Sequence, residues 1–192
     1  IQDHTVRQWL KNALSSEISS EKHTKKMVEY HVSYINKDVL LTGVIDLSLI
    51  SPDSGMKIID WKTGLSKPNL DRYKSRIQTR LYPYLLLQSP AFSANRFEGL
   101  KTQEITFNYW FTNFPEHSLS FTYNRQNFNQ DGAYFDDLIN TITLTPVEEM
   151  VMTHNIDLCR SCPFQLYCGR SIQADYFDIQ ESDDFESEVR LA

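Results

Sequence analysis

The sequence predicts an α/β (α+β) domain, a central sheet flanked by helices. Three observations predict it. The chain opens on an amphipathic helical pattern, β-rich runs separated by polar turns follow, and helical and β patterns then alternate to residue 142. Val6, Trp9, Leu10, Ala13 and Leu14 recur at helical spacing, predicting a helix over 3–19. Val28, Tyr30, Val32 and Tyr34 alternate, predicting a strand over 28–35 with those four on one face. Asn36-Lys37-Asp38 is a polar turn before a strand over 39–50, and Ser51-Pro52-Asp53-Ser54-Gly55 is a turn before a third over 56–61. The three read as an antiparallel meander. A Gly- and Pro-bearing loop, 64–70, leads to a helix over 71–88 that Pro83 should kink. Strands over 105–111 and 119–123 surround a turn at Asn113-Phe114-Pro115; a helix over 128–142 and a helical turn over 147–152 follow. There is no internal repeat.

Composition excludes several classes. With 41% hydrophobic and 12% aromatic residues the chain can build a core, which rules out wholesale disorder. No apolar run approaches the roughly 18–20 residues of a membrane span, and no charged and apolar leader pattern opens the chain. It begins on Ile1 rather than Met, as expected of an excised fragment. The net charge of −6 argues against a nucleic-acid binder until it is divided. From Asp175 onward there are seven acids and one base, so the tail alone supplies −6 and the body is neutral. Within that body, Lys57 to Arg80 holds seven bases against Asp60 and Asp71. The expected division is a catalytic-type domain over 1–158, a cysteine segment over 159–174 and an acidic tail over 175–192.

Chemistry concentrates in two neighbouring stretches. Gly43-Val44-Ile45-Asp46 ends on an acid inside an apolar run, and Ile58-Ile59-Asp60-Trp61-Lys62-Thr63-Gly64 places another after two isoleucines. Antiparallel pairing around the 51–55 turn can bring both carboxylates to one end of a sheet. Convergent carboxylates are hard oxygen ligands suited to Mg²⁺ or Mn²⁺, and their burial without a cation is costly. Lys62 follows Asp60 by two, on the same strand face, where an ammonium can hold a water or meet charge on a phosphoryl group. An ordinary Asp–Lys pair at a strand end has the same spacing. Gln78 and Tyr82 share a helical face beside Arg76 and Arg80; glutamine can orient water or contact phosphate, tyrosine can stack on a base, and either can simply pack.

Asp46, then Asp60-Trp61-Lys62-Thr63-Gly64, then Gln78-Thr79-Arg80-Leu81-Tyr82 resemble the nuclease motifs of the PD-(D/E)XK superfamily. The branch they most resemble is the RecB-like nucleases, including CRISPR-associated members with an iron–sulfur cluster. The pattern there is G-x-x-D, then D-x-K with Thr-Gly, then Q-x-x-x-Y. The match is close over 28–90 and, through the cysteines, reaches residue 168. The resemblance implies a restriction-endonuclease-like core in the order αβββαβ. It also implies Asp46 and Asp60 as metal ligands with the Trp61 backbone carbonyl, Lys62 positioning or activating the attacking water, and Gln78 and Tyr82 supporting the site and the DNA. Arg76 and Arg80 join Tyr82 as expected DNA contacts. The family's upstream histidine ligand is best matched by His4, with His23 and His31 less well placed, and Glu29 resembles an acid found before G-x-x-D.

Cys159-x2-Cys162-x5-Cys168 contains every cysteine of the chain. Three cysteines without a leader argue against a disulfide scaffold and for a reducing, cytoplasmic setting. Close thiolates suit an iron–sulfur cluster, zinc with His154 as fourth ligand, or no metal at all. The resemblance implies a 4Fe-4S cluster whose fourth cysteine lies before the core, upstream of Ile1, and which staples the chain's two ends. The expected function is a Mg²⁺- or Mn²⁺-dependent deoxyribonuclease, an exonuclease on single strands or duplex ends, with protein partners in a repair, recombination or CRISPR defence assembly. The alternatives are a nuclease fold that binds DNA or protein without cutting, and an iron–sulfur or zinc interaction domain in which the acids are incidental.

Overall fold

In the computed structural model, which describes residues 3–16, 25–51, 55–89, 105–159, 162 and 164–168, the chain divides into two units, 1–137 and 138–192. The first unit is built on a five-stranded sheet in the order β1-β2-β3-β4-β5. The strands are β1 (Lys25–Asn36), β2 (Val39–Ser51), β3 (Gly55–Lys62), β4 (Ile105–Phe111) and β5 (Leu119–Tyr123). Pairing is antiparallel except between β3 and β4, which run parallel, so the sheet is mixed. A parallel neighbour requires a crossover, and α2 (Leu70–Lys74) and α3 (Ile77–Gln88) lie between β3 and β4 in the chain. The β1–β2 turn places Lys37 and Asp38 both at positive φ, as two-residue hairpins of the primed type do.

Both faces of the sheet are covered. On one, Ile58 and Met56 of β3, Phe107 and Tyr109 of β4, Tyr82 and Leu85 of α3 and Phe135 form the main core. On the other, Leu49, Ile59 and Trp110 form a smaller cluster against Ala13 of α1 (His4–Ser15). Asp3 caps α1, its carboxylate accepting from the Thr5 and Val6 N–H groups. A fourth helix, α4, runs from Arg125 to Leu144. Within the second unit are 3₁₀ turns at Val147–Glu149 and Ile156–Cys159 and a short helix, α5 (Gln165–Cys168).

The strict alternation predicted for β1 fails at one place. Tyr30, Val32 and Tyr34 pack on the main core, but Val28 is 68% exposed and Met27 packs instead. The step from 27 to 30 is three residues where a regular strand has two. Glu29, within that step, has φ 48°. The facing strand inverts at the same level: Ile45 belongs to the main core, whereas Leu47, two residues on, packs on the opposite face. Because both strands invert together, the register on either side is unchanged, with Val28 opposite Leu47 and Tyr30 opposite Ile45. The residue of β2 at this break is Asp46.

The helix predicted over 71–88 is also interrupted, and not where Pro83 stands. Ser75 closes α2 and Arg76 takes an extended conformation before α3 begins. The Thr79 hydroxyl donates to the Tyr73 carbonyl at 2.6 Å, satisfying the end of α2, while Pro83 sits inside a continuous α3. The first helix ends at Ser15, short of the expected 19; residues 17–19, the tip of the 51–55 turn and the acidic tail from Asp175 lie outside the described residues.

Phe107 is fully buried, edge-on to Tyr109 at 4.8 Å and to Tyr82 at 6.0 Å. Phe107→Ala should therefore cost about 3–5 kcal/mol of stability in urea unfolding. A loss below about 1 kcal/mol would contradict this packing.

Candidate active site

The site forms where β2 and β3 meet at the alternation break. The β2–β3 register pairs Leu47 with Ile59; one step further, Asp46 lies across from Asp60. The Trp61 N–H donates to Asp46 Oδ2 at 2.8 Å, fixing that carboxylate against the backbone of β3. Asp60 is 3% exposed and Lys62 6%. They face the main core because Asp60 and Lys62 share the parity of Ile58, as alternation requires.

Lys62 Nζ lies 2.9 Å from Asp60 Oδ2 as an ion pair. The same oxygen has no aligned hydrogen-bond partner. The ammonium also donates to Gln78 Oε1 at 3.1 Å, and Gln78 Nε2 donates to the Tyr82 hydroxyl at 3.2 Å. Tyr109, paired with Asp60 across β3–β4, carries its ring 5.5 Å below the ammonium. Past Lys62 the chain is tied down by the turn after β4. The Thr112 N–H donates to the Lys62 carbonyl at 2.9 Å, and Asn113 Nδ2 donates to the Thr63 and Gly64 carbonyls at 2.9 and 3.0 Å. Asn113 Oδ1 in turn accepts from the Trp9 indole of α1 at 2.8 Å.

Burial, before any neighbour, lifts the Asp60 carboxyl from 3.8 to about 6; Lys62 opposes the shift and Asp46 adds to it. Burial likewise raises Asp46, with the Trp61 N–H opposing it and Glu29 adding to it. Two acids are thus drawn into one poorly solvated spot, with the Lys62 ammonium between Asp60 and Gln78 of the helix. An incompletely satisfied buried carboxylate oxygen, set beside a second carboxylate, is a hard-oxygen donor set that fits a divalent cation. Among the described residues no group of three or more His, Cys, Asp or Glu is disposed to hold a metal ion. His4 is exposed at the first position of α1 and is not gathered with the two acids, and His23 lies outside the described residues.

The basic residues separate. Arg80 is ion-paired through Nε to buried Asp131 of α4 at 2.6 Å and lies over the Tyr134 ring at 3.7 Å. Arg76 lies over Tyr73 at 4.5 Å and helps to hold the Asp60 charge. Tyr82, 5% exposed, is enclosed rather than presented to a base. Lys67 and Lys74 are exposed. Sequence reasoning did not single out Asp131, Asn113 or Tyr109. Asn113 carried a signal, since it stands in a turn at a strand end; Asp131 carried none, being one acid among several on a helix.

In the second unit, Cys159 is buried, Cys162 and Cys168 are half-buried, and none of the three is in a disulfide. The Cys162 N–H donates to the Cys159 carbonyl and the Cys168 N–H to that of Phe164, so the segment is a tight turn leading into α5. The three thiols, with or without His154, do not form a metal-holding group, and three sulfurs do not by themselves match the four thiolates of a 4Fe-4S cluster.

The family model of the PD-(D/E)XK nuclease superfamily matches residues 2–169, and the chain belongs to that superfamily. Its mixed sheet between helices is the restriction-endonuclease-like core. A solved structure described as the crystal structure of SSO0001 is similar, at 14% identity over 87% of this chain and 68% of that chain, with a TM-score of 0.45. No curated protein matches the chain significantly. Among the described residues, no helix is long and apolar enough to cross a membrane.

The raised Asp60 pKa has a measurable sign. The folded chain binds this proton more tightly than the unfolded chain. Its contribution to stability is therefore fully present below 3.8 and lost as pH rises through about 6. A shift of that size corresponds to about 3 kcal/mol. Without metal, urea unfolding should show stability falling from pH ~4 to ~6 more steeply in the parent than in Asp60→Asn. Equal slopes would contradict the assignment.

Proposed function

We propose that the chain is a Mg²⁺- or Mn²⁺-dependent deoxyribonuclease that hydrolyses phosphodiester bonds, an exonuclease of RecB-like type. The observation that carries this reading is the buried Asp60–Lys62 pair, 2.9 Å apart, set beside Asp46 where the pairing of β2 with β3 ends. Asp46, Asp60 and the Trp61 carbonyl would hold the ion, whose chemistry is to polarise the phosphate and acidify a bound water. The Lys62 ammonium, held between Asp60 and Gln78, directs a proton toward the reacting oxygens, orienting the attacking water and stabilising charge on the phosphoryl group. Tyr109 and the main core exclude bulk water beneath the amine.

In this reading residues 1–158 are the nuclease domain, 159–174 the cysteine segment and 175–192 an acidic tail. The Cys159, Cys162 and Cys168 spacing supports a 4Fe-4S cluster in the branch with CRISPR-associated members, given a fourth cysteine, with zinc as the rival. Three cysteines outside any disulfide support a reducing, cytoplasmic setting, and the nuclease fold supports DNA and a repair, recombination or defence assembly as partners. A second reading, a nuclease fold that binds DNA or protein without cutting, is favoured by one observation: no third His, Cys, Asp or Glu joins Asp46 and Asp60 among the described residues.

Labelled single-stranded and duplex linear DNA, incubated with Mn²⁺ or Mg²⁺, should be cut by the parent. Cutting should stop with EDTA and fall at least about 100-fold in Asp60→Ala and Lys62→Ala. Cleavage that survives in both variants contradicts the site, and retention of DNA without cutting by the parent favours the second reading. Lys67→Ala and Lys74→Ala should each lower the slope of log affinity against log salt by about 1, whatever the DNA sequence. An unchanged slope would remove these lysines from the DNA track.

A further inference from the structure

We propose, resting on the nuclease reading, that Gly43 is a positioning residue for Lys62 and acts through Tyr82 and Gln78. Gly43 lies in β2, opposite Val32 of β1, three residues before Asp46. A Cβ at this position would meet Tyr82 Cε1 at 2.9 Å and Cδ1 at 3.2 Å, with Leu85 Cδ1 next at 3.5 Å. The absent side chain is thus the space in which the Tyr82 ring lies.

The ring has little room to retreat. It is 5% exposed and packs edge-on toward Phe107 on the side of β4. It is also rigid, so a push at Cε1 is delivered to the adjoining hydroxyl. That hydroxyl accepts from Gln78 Nε2, and Gln78 is itself 2% exposed. An ammonium can only donate, so the amide must turn Oε1 toward Lys62 and Nε2 away from it. The Tyr82 hydroxyl provides the acceptor that holds the amide in this sense. The amide then holds Lys62 Nζ at 3.1 Å, between Gln78 and Asp60. A methyl group at position 43 displaces the ring, loosens the amide and frees the amine to leave Asp60. In this account the glycine before Asp46 and the tyrosine after Gln78 are two sides of one contact, and neither touches substrate.

The test is a double-mutant cycle on the full chain with two readouts. One is the rate of reductive methylation at Lys62 without metal, followed by peptide mass spectrometry; the other is kcat and KM for single-stranded DNA with Mn²⁺. Gly43→Ala should raise Lys62 methylation several-fold and lower kcat roughly 10- to 100-fold, with KM little changed. In a Tyr82→Leu background, which removes the hydroxyl and much of the ring, Gly43→Ala should change either readout by no more than about twofold. Tyr82→Phe keeps the ring and deletes the hydroxyl, so it should also raise methylation. Should Gly43→Ala alone not fold, recovery of folding in the Tyr82→Leu background supports the contact and failure to recover counts against it. Equal effects of Gly43→Ala in both backgrounds, or methylation unmoved by Gly43→Ala and Tyr82→Phe, overturn the proposal. A parent that cuts no DNA overturns the nuclease reading alone, since the methylation cycle still reports where the amine is held.

Discussion

Asp60 is almost wholly removed from water at the end of β3, and a second acid, Asp46, faces it from β2. Burial pushes each carboxyl toward its neutral form, with Asp46 adding to the shift of Asp60 and Glu29 to that of Asp46. The surrounding structure answers this constraint piece by piece. The Trp61 N–H holds one carboxylate, the Lys62 ammonium the other, and Gln78 and Tyr82 hold the ammonium. A fold selected for stability alone would do as well with apolar groups here, since a buried ion pair is a weak stabiliser. In the proposed function, the arrangement serves as preparation for an added cation.

The backbone prepares the same place. A regular β1–β2 hairpin would keep one face apolar throughout, and Asp46 would take a fixed place in that alternation. Instead the alternation inverts in both strands at the level of Glu29 and Asp46, and Glu29 takes a left-handed conformation there. Backbone strain of this kind is found where a site demands it. The turn after β4 supports the other side: Thr112 and Asn113 fix the chain beyond Lys62, and Trp9 ties α1 to the same asparagine. The site thus draws on three strands and two helices that are distant in sequence.

Most strands were legible because their polar turns and alternation are local properties. The antiparallel β1–β2–β3 order follows from short turns, and the carboxylate pair follows from that order. What escaped were effects of contact. Val28 reads as a core residue and is exposed, because the inversion at Glu29 depends on the facing strand. Arg80 reads as a phosphate ligand, yet it is paired with Asp131, fifty-one residues away. Tyr82 reads as a stacking platform and is enclosed, since nothing in a helical pattern reveals the ring's fit over Gly43. Pro83 reads as the break in its helix; the break falls at Ser75 and Arg76, where a threonine hydroxyl from the next helix closes the end of α2.

Anomalous diffraction from crystals of the chain soaked in Mn²⁺ asks whether Asp46 and Asp60 share one cation. A single strong peak within coordination distance of carboxylate oxygens from both Asp46 and Asp60, with the Lys62 ammonium still beside Asp60, is the predicted result. Saturating Mn²⁺ that leaves no peak between these two acids, or one that engages either acid without the other, would contradict it.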